Sequence, residues 1–383
     1  MELEKFLDKK ILPFICALLA IFKKKKPLLE KNRNILVIRF WGVGSAILCL
    51  PMLKELKEML PDSKVTVLCT KRTQDVFYGQ PFVDEYFSIW SFSVLPFMLK
   101  NLWKYDLVID SEEHYSISAI ISFFVGKRSI GYNYGPRAKL FDINVAYNDR
   151  QHVVYTYCDL LAPLGIRKKP SALLPLKYDE EAKNTVELRF QTSSIRFGKH
   201  PVVGIHAFCG QTAPWRAWPK KNFVALIDRI KEKFDAIVIL TGSGKESDGN
   251  EEIMSLVKNR KDVYNISNLS NLGLFYLISR YDVMVSNDTG PMHMAAAQGV
   301  PTVGLFGPNT PVRFGPFPPD RNASLYHQVE GHPIINVHLN QFGRCDGECM
   351  RLITVDEVFT AVERLLDYKS GRMQVGRLIQ NYP

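Results

Sequence analysis

After residue 34 the chain alternates between short apolar runs and longer amphipathic stretches. Short apolar runs predict buried strands, and the stretches between them have the length of helices. The predicted strands are Ile35–Phe40, Lys64–Cys69, Tyr105–Asp110, Pro201–His206, Ala236–Gly242, Asp282–Asp288 and Pro301–Gly307. The predicted helices of the first half are Ser45–Leu60, Ser116–Val125 and His152–Leu164. This alternation predicts an α/β fold with parallel sheets.

A polar, basic stretch without a strong period, residues 167–200, separates the two series of strands. Because 383 residues exceed what one hydrophobic core usually supports, we predict two α/β domains with their boundary in this stretch. The predicted divisions are an N-terminal membrane-surface segment, 1–30, a first domain, 31–175, a second domain, 195–354, and a C-terminal helix and tail, 355–383. Open sheets of this kind bind ligands beyond the carboxyl ends of their strands.

Residues 11–22 are uncharged and mostly apolar, and the lysine run Lys23–Lys26 follows them. As a helix they extend about 18 Å, short of the roughly 30 Å of a bilayer core. An apolar run beside lysines favours shallow insertion at an anionic membrane surface, and a helix packed on the protein itself is the alternative. A cleaved signal peptide is disfavoured because Pro27 and the lysines replace a small-residue cleavage site and Glu2 and Glu4 precede the run.

The net charge of +10 suits an anionic partner. No nucleic-acid motif accompanies it, so we expect a membrane surface or phosphorylated substrate and no nucleic acid. The odd number of cysteines, 7, is typical of a reducing cytoplasm, and we expect a peripheral location on the inner face of the cytoplasmic membrane. Cys345 and Cys349 lack a second pair at zinc-site spacing, so no metal site is predicted.

The segment Ser286–Ala297 joins a predicted strand to a predicted helix. Gly290 permits close backbone approach, Thr289 offers a hydroxyl, and Pro291 suits an early helical position. Free amides at a helix start attract anions, so this segment predicts a phosphate site. The alternative for Asp288 is a simple role as the N-cap of the helix.

Two further loops follow predicted strands, His206–Pro219 and Thr241–Glu246. In the first, Arg216 stands between aromatic residues and is predicted to bind a pyrophosphate, or alternatively to stack on them in solvent. The second lacks the spacing of a P-loop, which disfavours an NTPase. Its Glu246 is a candidate acceptor for a ribose or sugar hydroxyl, with simple surface exposure as the alternative.

The first loop, Arg39–Ser45, contains a lone Gly-x-Gly. A dinucleotide site also needs an acidic residue at the end of the second strand, where Cys69, Thr70 and Lys71 stand. An oxidoreductase is therefore disfavoured.

Taken in order, these segments resemble the lipopolysaccharide heptosyltransferase family, glycosyltransferase family 9. The resemblance covers the chain after residue 34 and implies two facing Rossmann-like domains of the GT-B type. Its motifs are Ile35–Arg39, Tyr105–Asp110, Trp218-Pro219, Asn287–His293, Leu305–Pro308, Cys349-Met350 and Ile353–Val355.

The resemblance implies an inverting, metal-independent and cofactor-free transfer from a nucleotide diphosphate sugar, typically ADP-heptose, to a lipid-linked glycan such as the lipopolysaccharide core. The first domain would bind the acceptor. Arg216 matches a basic position usually held by lysine, and Glu246 approximates a ribose-binding acidic position. The remaining donor-site candidates are Asp288, Thr289, Gly290, Pro291, Met292, His293 and Thr212.

One position departs from the family pattern. The family usually has Gly-Asp in the first loop, with the aspartate as proposed general base, and here Gly44-Ser45 stands instead. Serine cannot accept the acceptor's proton unaided. His206 is one candidate substitute, and the others, which follow the third predicted strand, are Glu112, Glu113 and His114. A degenerate nucleotide-sugar-binding or scaffold protein and a transferase acting on a protein acceptor remain alternatives.

Overall fold

The computed structural model describes residues 6–29, 33–40, 42–198, 200–210, 214–331, 335–336, 341–342 and 346–369. The chain forms two compact units, and the main chain passes from one to the other between Pro170 and Ser171. Each unit is built on one six-stranded sheet whose neighbouring strands are parallel. The predicted α/β fold is therefore confirmed.

The first unit holds strands β1 to β6 and helices α1 to α5. The strands are β1 (Asn34–Ile38), β2 (Lys64–Thr70), β3 (Glu85–Ile89), β4 (Leu107–Asp110), β5 (Ser129–Tyr132) and β6 (Ile143–Val145). The helices are α1 (Leu12–Ala20), which continues a π-helical turn over Leu7–Ile11, α2 (Val43–Met59), α3 (Val94–Lys100), α4 (Ser116–Val125) and α5 (Val153–Asp159). The strand order is β3-β2-β1-β4-β5-β6.

The second unit repeats this arrangement with the strand order β12-β11-β10-β7-β8-β9. Its sheet contains β7 (Val202–His206), β8 (Ile237–Leu240), β9 (Val263–Asn265), β10 (Val283–Asn287), β11 (Thr302–Phe306) and β12 (Ala323–Tyr326). Two short antiparallel strands follow, β13 (Ile335–Asn336) and β14 (Gln341–Phe342). The helices are α6 (Glu180–Thr192), α7 (Lys220–Phe234), α8 (Ser247–Leu256), α9 (Asn271–Ser279), α10 (Gly290–Ala297), α11 (Pro311–Phe314), α12 (Glu348–Arg351) and α13 (Val355–Lys369).

The strand order reverses between β1 and β4 in the first sheet and between β7 and β10 in the second. At such a switch point the two following loops leave in opposite directions and open a crevice at the carboxyl ends of the strands. The loops after β1, β4, β7 and β10 are four of the five that the sequence analysis singles out for chemistry, and the fifth, Thr241–Glu246, follows the neighbouring strand β8.

Buried apolar strands and amphipathic helices build the core of the second unit. Strands β7, β8, β10 and β11 are buried along their whole length, as expected of a parallel sheet covered on both faces. Helix α13 inserts Val358, Val362 and Leu365 into the same core as α7. Residues 355–369, predicted as a C-terminal helix and tail, therefore include an integral core helix.

Helix α6 lies in the stretch that shows no strong period in the sequence. The Asp179 carboxylate caps it by accepting a hydrogen bond from the Ala182 amide at 2.8 Å. Ala182, Val186 and Phe190 recur every four residues and form its buried stripe, and α6 packs against α9. A capping aspartate followed by this spacing was the available signal for the helix.

The N-terminal segment packs on the first unit through one side. Cys16 is fully buried beside Leu140 and Phe141. The Asp8 carboxylate accepts hydrogen bonds from the amides of Ser116 and Ile117, so it caps α4 from a distant part of the chain. In the described ranges, no helix is both long enough and apolar enough to cross a bilayer. Packing of this segment on the protein's own body, the alternative in the sequence analysis, is therefore observed on one side of the helix, and its place at a membrane surface stays a prediction.

Candidate functional site

The predicted phosphate segment begins where the buried strand β10 ends. Thr289 is the N-cap of α10 and has an extended backbone, and its side chain makes no capping hydrogen bond. Thr289, Gly290 and Pro291 are half-exposed, whereas the helix that follows is buried. The first amides of α10 therefore stand at an accessible helix start, where the helix dipole favours an anion.

Asp288 lies at the centre of three loops. Its Oδ2 accepts a hydrogen bond from Arg216 Nη1 at 3.3 Å, in the loop after β7. The same oxygen accepts one from Asn309 Nδ2 at 3.0 Å, in the loop after β11. The Asp288 side chain is 9% exposed, so the carboxylate is largely shielded from water. This geometry concentrates a negative charge and its partners beside the start of α10.

Asn287 fixes the loop after β7. Its Oδ1 accepts a hydrogen bond from the Trp218 amide at 3.0 Å, and its Nδ2 donates to the Ala207 carbonyl at 2.9 Å. Trp218 is itself buried, and its Nε1 donates to the Ile353 carbonyl at 2.8 Å. The loop that carries Arg216 is thus held at both ends by buried contacts.

Arg216 retains hydrogen-bonding capacity beyond its contact with Asp288. Its side chain is 22% exposed. Within the described residues, its buried Nε makes no hydrogen bond. Guanidinium groups bind phosphate oxygens through two parallel donors, so Arg216 can hold Asp288 and still face an anion. Thr212, predicted in the same loop, lies outside the described residues.

Glu246 joins the loops after β7 and β8. Its Oε2 accepts hydrogen bonds from the Ser243 amide at 2.8 Å and from the Ser243 hydroxyl at 2.9 Å. Its Oε1 accepts one from the Gly210 amide at 3.2 Å. Each oxygen of an ionised carboxylate can accept further hydrogen bonds, so this half-buried carboxylate can still serve a ligand hydroxyl.

Cys209 is a buried residue whose thiol is influenced by the charged side chains of the site. Burial raises the pKa of its thiol to about 12, and the charges of Arg216, Asp288 and Glu246 also act on it. These three side chains, all predicted from the sequence for the donor site, therefore lie close enough to act on one buried group.

His206 and His293 are buried histidines. His206 Nδ1 lies 3.2 Å from the Thr241 hydroxyl, and burial lowers its pKa despite the nearby Glu246 carboxylate. Burial lowers the pKa of His293 to about 4. Both imidazoles are therefore neutral near pH 7. Met292 and His293 lie in the buried part of α10, and the assignment of a donor-binding role to them stays a prediction.

His293 is expected to make the protein sensitive to acid. The pKa of its imidazole falls from an ordinary 6.5 to about 4 on burial, so the unfolded state binds the proton more readily. Its contribution to stability is present above pH 6.5 and is lost as the pH falls towards 4, roughly 3 kcal/mol between pH 7 and pH 4. Urea titrations at pH 7 and pH 4 measure the free energy of unfolding of both proteins. Between these two pH values the parent should lose about 3 kcal/mol more stability than His293→Gln. Parallel stability curves for the two proteins would contradict the assignment.

In the first unit, the candidate bases Glu112 and Glu113 follow β4 and lie against Arg39, directly after the end of β1. Arg39 is fully buried, and its Nη1 donates to Glu113 Oε2 at 3.3 Å and to the Ser111 carbonyl at 2.7 Å. The Tyr157 hydroxyl donates a hydrogen bond to Glu113 Oε1 at 2.8 Å. Burial opposes ionisation of Glu113, but Arg39 and these hydrogen bonds hold the pKa of its carboxyl below the ordinary value.

Glu112 and His114 are also buried. Glu112 Oε1 accepts a hydrogen bond from the Phe40 amide, and the His114 ring lies 4.5 Å from that of Tyr115. A carboxyl whose pKa is lowered is a weaker base, so Glu113 is less suited to proton removal than the sequence suggests. The catalytic roles of Glu112, Glu113 and His114 stay predictions.

Ser45 lies in the first turn of α2, directly after the loop that leaves β1. Gly42 begins this turn with a positive φ of 40°, a conformation that favours glycine. Ser45 is half-buried at the switch point of the first sheet. The position is suited to meeting a ligand, but a hydroxyl is the only chemistry that Ser45 supplies.

Sequence reasoning missed Asn309 and the anchoring role of Asn287. Asn309 follows the Leu305–Pro308 motif, and in the described residues its buried Oδ1 makes no hydrogen bond. A polar residue directly after a buried strand was the only local signal. Its contact with Asp288 depends on β10 and β11 being neighbours, which the sequence alone does not state.

The sequence profile described as "Glycosyltransferase family 9 (heptosyltransferase)" matches residues 99–334. The chain belongs to glycosyltransferase family 9. This match spans most of the chain and confirms the predicted resemblance, and with it the predicted enzyme class of heptosyltransferase-like glycosyltransferases.

Two curated relatives are similar in sequence. Lipooligosaccharide heptosyltransferase 2 of Haemophilus influenzae is 28% identical over 151 residues, which are 38% of this chain and 42% of that protein. Lipooligosaccharide heptosyltransferase 2 of Haemophilus ducreyi is 25% identical over 360 residues, 87% of this chain and 99% of that protein. The chain thus spans less than half of the first relative and nearly all of the second.

Two solved structures share the fold. A family 9 glycosyltransferase from Veillonella parvula has a TM-score of 0.74 at 19% identity, covering 87% of this chain and 97% of its own. The E. coli ADP-heptose lipopolysaccharide heptosyltransferase II has a TM-score of 0.70 at 20% identity, covering 88% of this chain and 99% of its own. These likenesses confirm the two-sheet GT-B fold.

Proposed function

We propose that this chain is an inverting glycosyltransferase that moves a sugar from a nucleoside diphosphate sugar to a cell-envelope glycolipid. The contact of Asp288 with Arg216 and Asn309, beside the accessible start of α10, carries the proposal. A guanidinium next to a helix start suits a diphosphate, and a carboxylate next to an amide suits sugar hydroxyls. Membership of family 9 and similarity to lipopolysaccharide and lipooligosaccharide heptosyltransferases favour a heptose and a lipopolysaccharide-type acceptor.

In the proposed reaction the oxygen of an acceptor hydroxyl attacks the anomeric carbon of the donor. The bond from that carbon to the diphosphate breaks, and the diphosphate leaves with the electron pair. Arg216 and the first amides of α10 stabilise the charge that develops on the leaving group. Glu246 accepts hydrogen bonds from ribose hydroxyls, and Asp288 orients the sugar. No cofactor takes part in this scheme.

The proton of the acceptor hydroxyl needs a base in the first unit, which we assign to acceptor binding. Ser45 holds the position of the family's usual aspartate, and Glu112, Glu113 and His114 follow the neighbouring strand β4. The acceptor in this proposal is a lipid-linked glycan at the cytoplasmic membrane face. A binding protein that has lost turnover is the second candidate because of Ser45.

Calorimetric titration with ADP, GDP, UDP and dTDP tests the donor site. We expect the best diphosphate to bind Arg216→Ala roughly 10- to 100-fold more weakly than the parent, because a charge-assisted contact contributes about 1.5 to 3 kcal/mol. The corresponding nucleoside should bind both proteins alike. Release of the diphosphate from its sugar conjugate, in the presence of acceptor extract, should fall in parallel.

The matched control is Arg260→Ala, which removes an exposed arginine of the same unit. It should bind every nucleotide like the parent. Equal losses for nucleoside and diphosphate in Arg216→Ala would contradict the diphosphate contact. Tight diphosphate binding without turnover on any donor, with activity gained by Ser45→Asp, would replace the transferase by the binding protein.

A further inference from the structure

Exposed apolar side chains are concentrated in two segments of the first unit. Among the described residues, 20 large hydrophobic side chains are exposed, and seven of them lie in residues 6–22 and eight in residues 86–103. Soluble surfaces rarely gather so many in one region unless something covers them. The two segments together are called the apolar face below.

The first segment is apolar on both sides of one helix. Leu12, Ile15 and Leu19 pack towards Cys16 and the core beneath α1. On the opposite side the exposed residues recur at the spacing of a single helical face, which turns away from the protein: Ile11, Phe14, Leu18 and Ile21. A helix that is apolar all round needs a second apolar environment besides the protein core.

The second segment, residues 86–103, includes α3. Val94, Phe97 and Met98 on one side of this helix pack into the core of the first unit. The exposed residues of the segment include two tryptophans and a phenylalanine: Trp90 at 70% exposure, Phe92 at 83% and Trp103 at 61%. Aromatic rings of this kind are favoured at the boundary between lipid and water.

Helix α4 brings the two segments together. Both α1 and α3 pack against α4, and Met98 of α3 contributes to the same cluster as Leu12, Ile15 and Leu19 of α1. The Trp103 amide donates to the Phe124 carbonyl at the end of α4. Since α1 and α3 both pack against α4, the two segments are neighbours on the first unit.

The exposed charges within the two segments of the apolar face are all basic. Between residues 6 and 29 the only acidic residue is Asp8, which is buried and caps α4, and between residues 86 and 104 there is none. Lys23 is neutralised by the buried Asp142, with Nζ 2.7 Å from Oδ2. Exposed lysines within the two segments or directly after them are Lys9, Lys10, Lys24, Lys25, Lys26, Lys100 and Lys104. Lys139 is also exposed and lies in the short 3-10 helix Pro136–Leu140, which contacts α1.

We infer that the apolar face docks the first unit on an anionic lipid bilayer, with residues 86–103 contributing alongside the N-terminal segment. Apolar and aromatic side chains enter the boundary between head groups and acyl chains, and the lysines meet the anionic head groups. The inference rests on the proposed function in one respect, because a lipid-linked acceptor makes this docking useful. The docking itself requires neither donor nor turnover.

Flotation with vesicles of phosphatidylcholine and about one third phosphatidylglycerol tests the docking without any nucleotide. The parent should float with these vesicles, and less with pure phosphatidylcholine or at high salt. Phe14→Ser with Ile21→Ser, and separately Trp90→Ser with Phe92→Ser, should each lower the partition coefficient at least about tenfold. The matched control is Leu188→Ser with Leu256→Ser in the second unit, where both residues are similarly exposed, at 59% and 60%.

The second pair decides the inference, because residues 90 and 92 lie outside the N-terminal segment. Undiminished flotation of the Trp90→Ser, Phe92→Ser protein, with thermal unfolding like that of the parent, would overturn it. Sedimentation gives a further check on the occupant of the apolar face. If the parent does not float and sediments as a dimer, and both variants sediment as monomers, the face would bind a second copy of the chain instead of a bilayer. Donor titration of the same preparations reports separately on the proposed function.

Discussion

Asp288→Ala is expected to lower kcat/KM for sugar transfer on the order of 1000-fold, while the folded state remains intact. The carboxylate makes direct contacts with Arg216 and Asn309. Its removal deletes hydrogen bonds of about 1.5 to 3 kcal/mol to the sugar and also releases the guanidinium that holds the diphosphate. The fold should survive because Arg216 is partly exposed and can be solvated. Steady-state kinetics and thermal unfolding measure the two effects separately.

Asp288→Asn is the informative companion. The amide oxygen of the new asparagine can still accept a hydrogen bond from Asn309, but it offers no negative charge to Arg216. We therefore expect a loss of kcat/KM between that of the parent and that of Asp288→Ala. The matched control is Asp248→Ala, which removes an exposed aspartate from the first turn of another helix of the same unit, α8. Control kinetics should equal those of the parent. A normal kcat/KM for Asp288→Ala would remove Asp288 from the site.

Seven strands of the two sheets and the switch-point loops could be predicted because their signals are local. A run of apolar residues, such as Ile35 to Ile38, has no stable place except a covered sheet. Glycine, proline and a polar cluster directly after such a run mark a loop at its carboxyl end. The segment from Asp288 to Pro291 carries all three, so its place at a helix start followed from the sequence.

The edge strands β3, β6, β9 and β12 and the interior strand β5 were not predicted. They are short, and three of them expose many of their residues, so their composition differs little from that of loops. They exist because a neighbouring strand offers hydrogen bonds, which is a tertiary cause. Residues 263–265, for example, pair with β8.

Contacts between distant residues also escaped prediction. The sequence indicated Asp288 and Arg216 separately, and their 3.3 Å contact follows from the adjacency of β7 and β10. In the same way, Glu113 was selected as an acidic residue after a strand. Its pairing with Arg39 follows from the adjacency of β1 and β4, and it changes how the carboxylate is interpreted.

Glu113→Ala is expected to destabilise the folded protein by about 3 kcal/mol, because the fully buried Arg39 loses its hydrogen-bonded carboxylate and keeps Glu112, 3.8 Å from its Nε, as a charge partner. Chemical denaturation at pH 7 measures the loss. The stabilising contribution of Glu113 is present above its ordinary pKa of 4.5 and is lost as the pH falls through the lowered folded value. Glu113→Ala should therefore differ most from the parent near neutral pH and least in strong acid.

A double variant that replaces both Arg39 and Glu113 by apolar residues distinguishes a structural role of the Glu113 carboxylate from a catalytic one. If Glu113 acts only as the partner of Arg39, the double variant Arg39→Met with Glu113→Leu should recover part of the lost stability, since apolar residues of similar volume often replace a buried ion pair without loss. The recovery is partial because the buried Glu112 also loses Arg39 as its charge partner. Transfer activity should return with it. Recovered stability without activity would instead make Glu113 the base that replaces the family's aspartate, and would relieve Ser45 of that role.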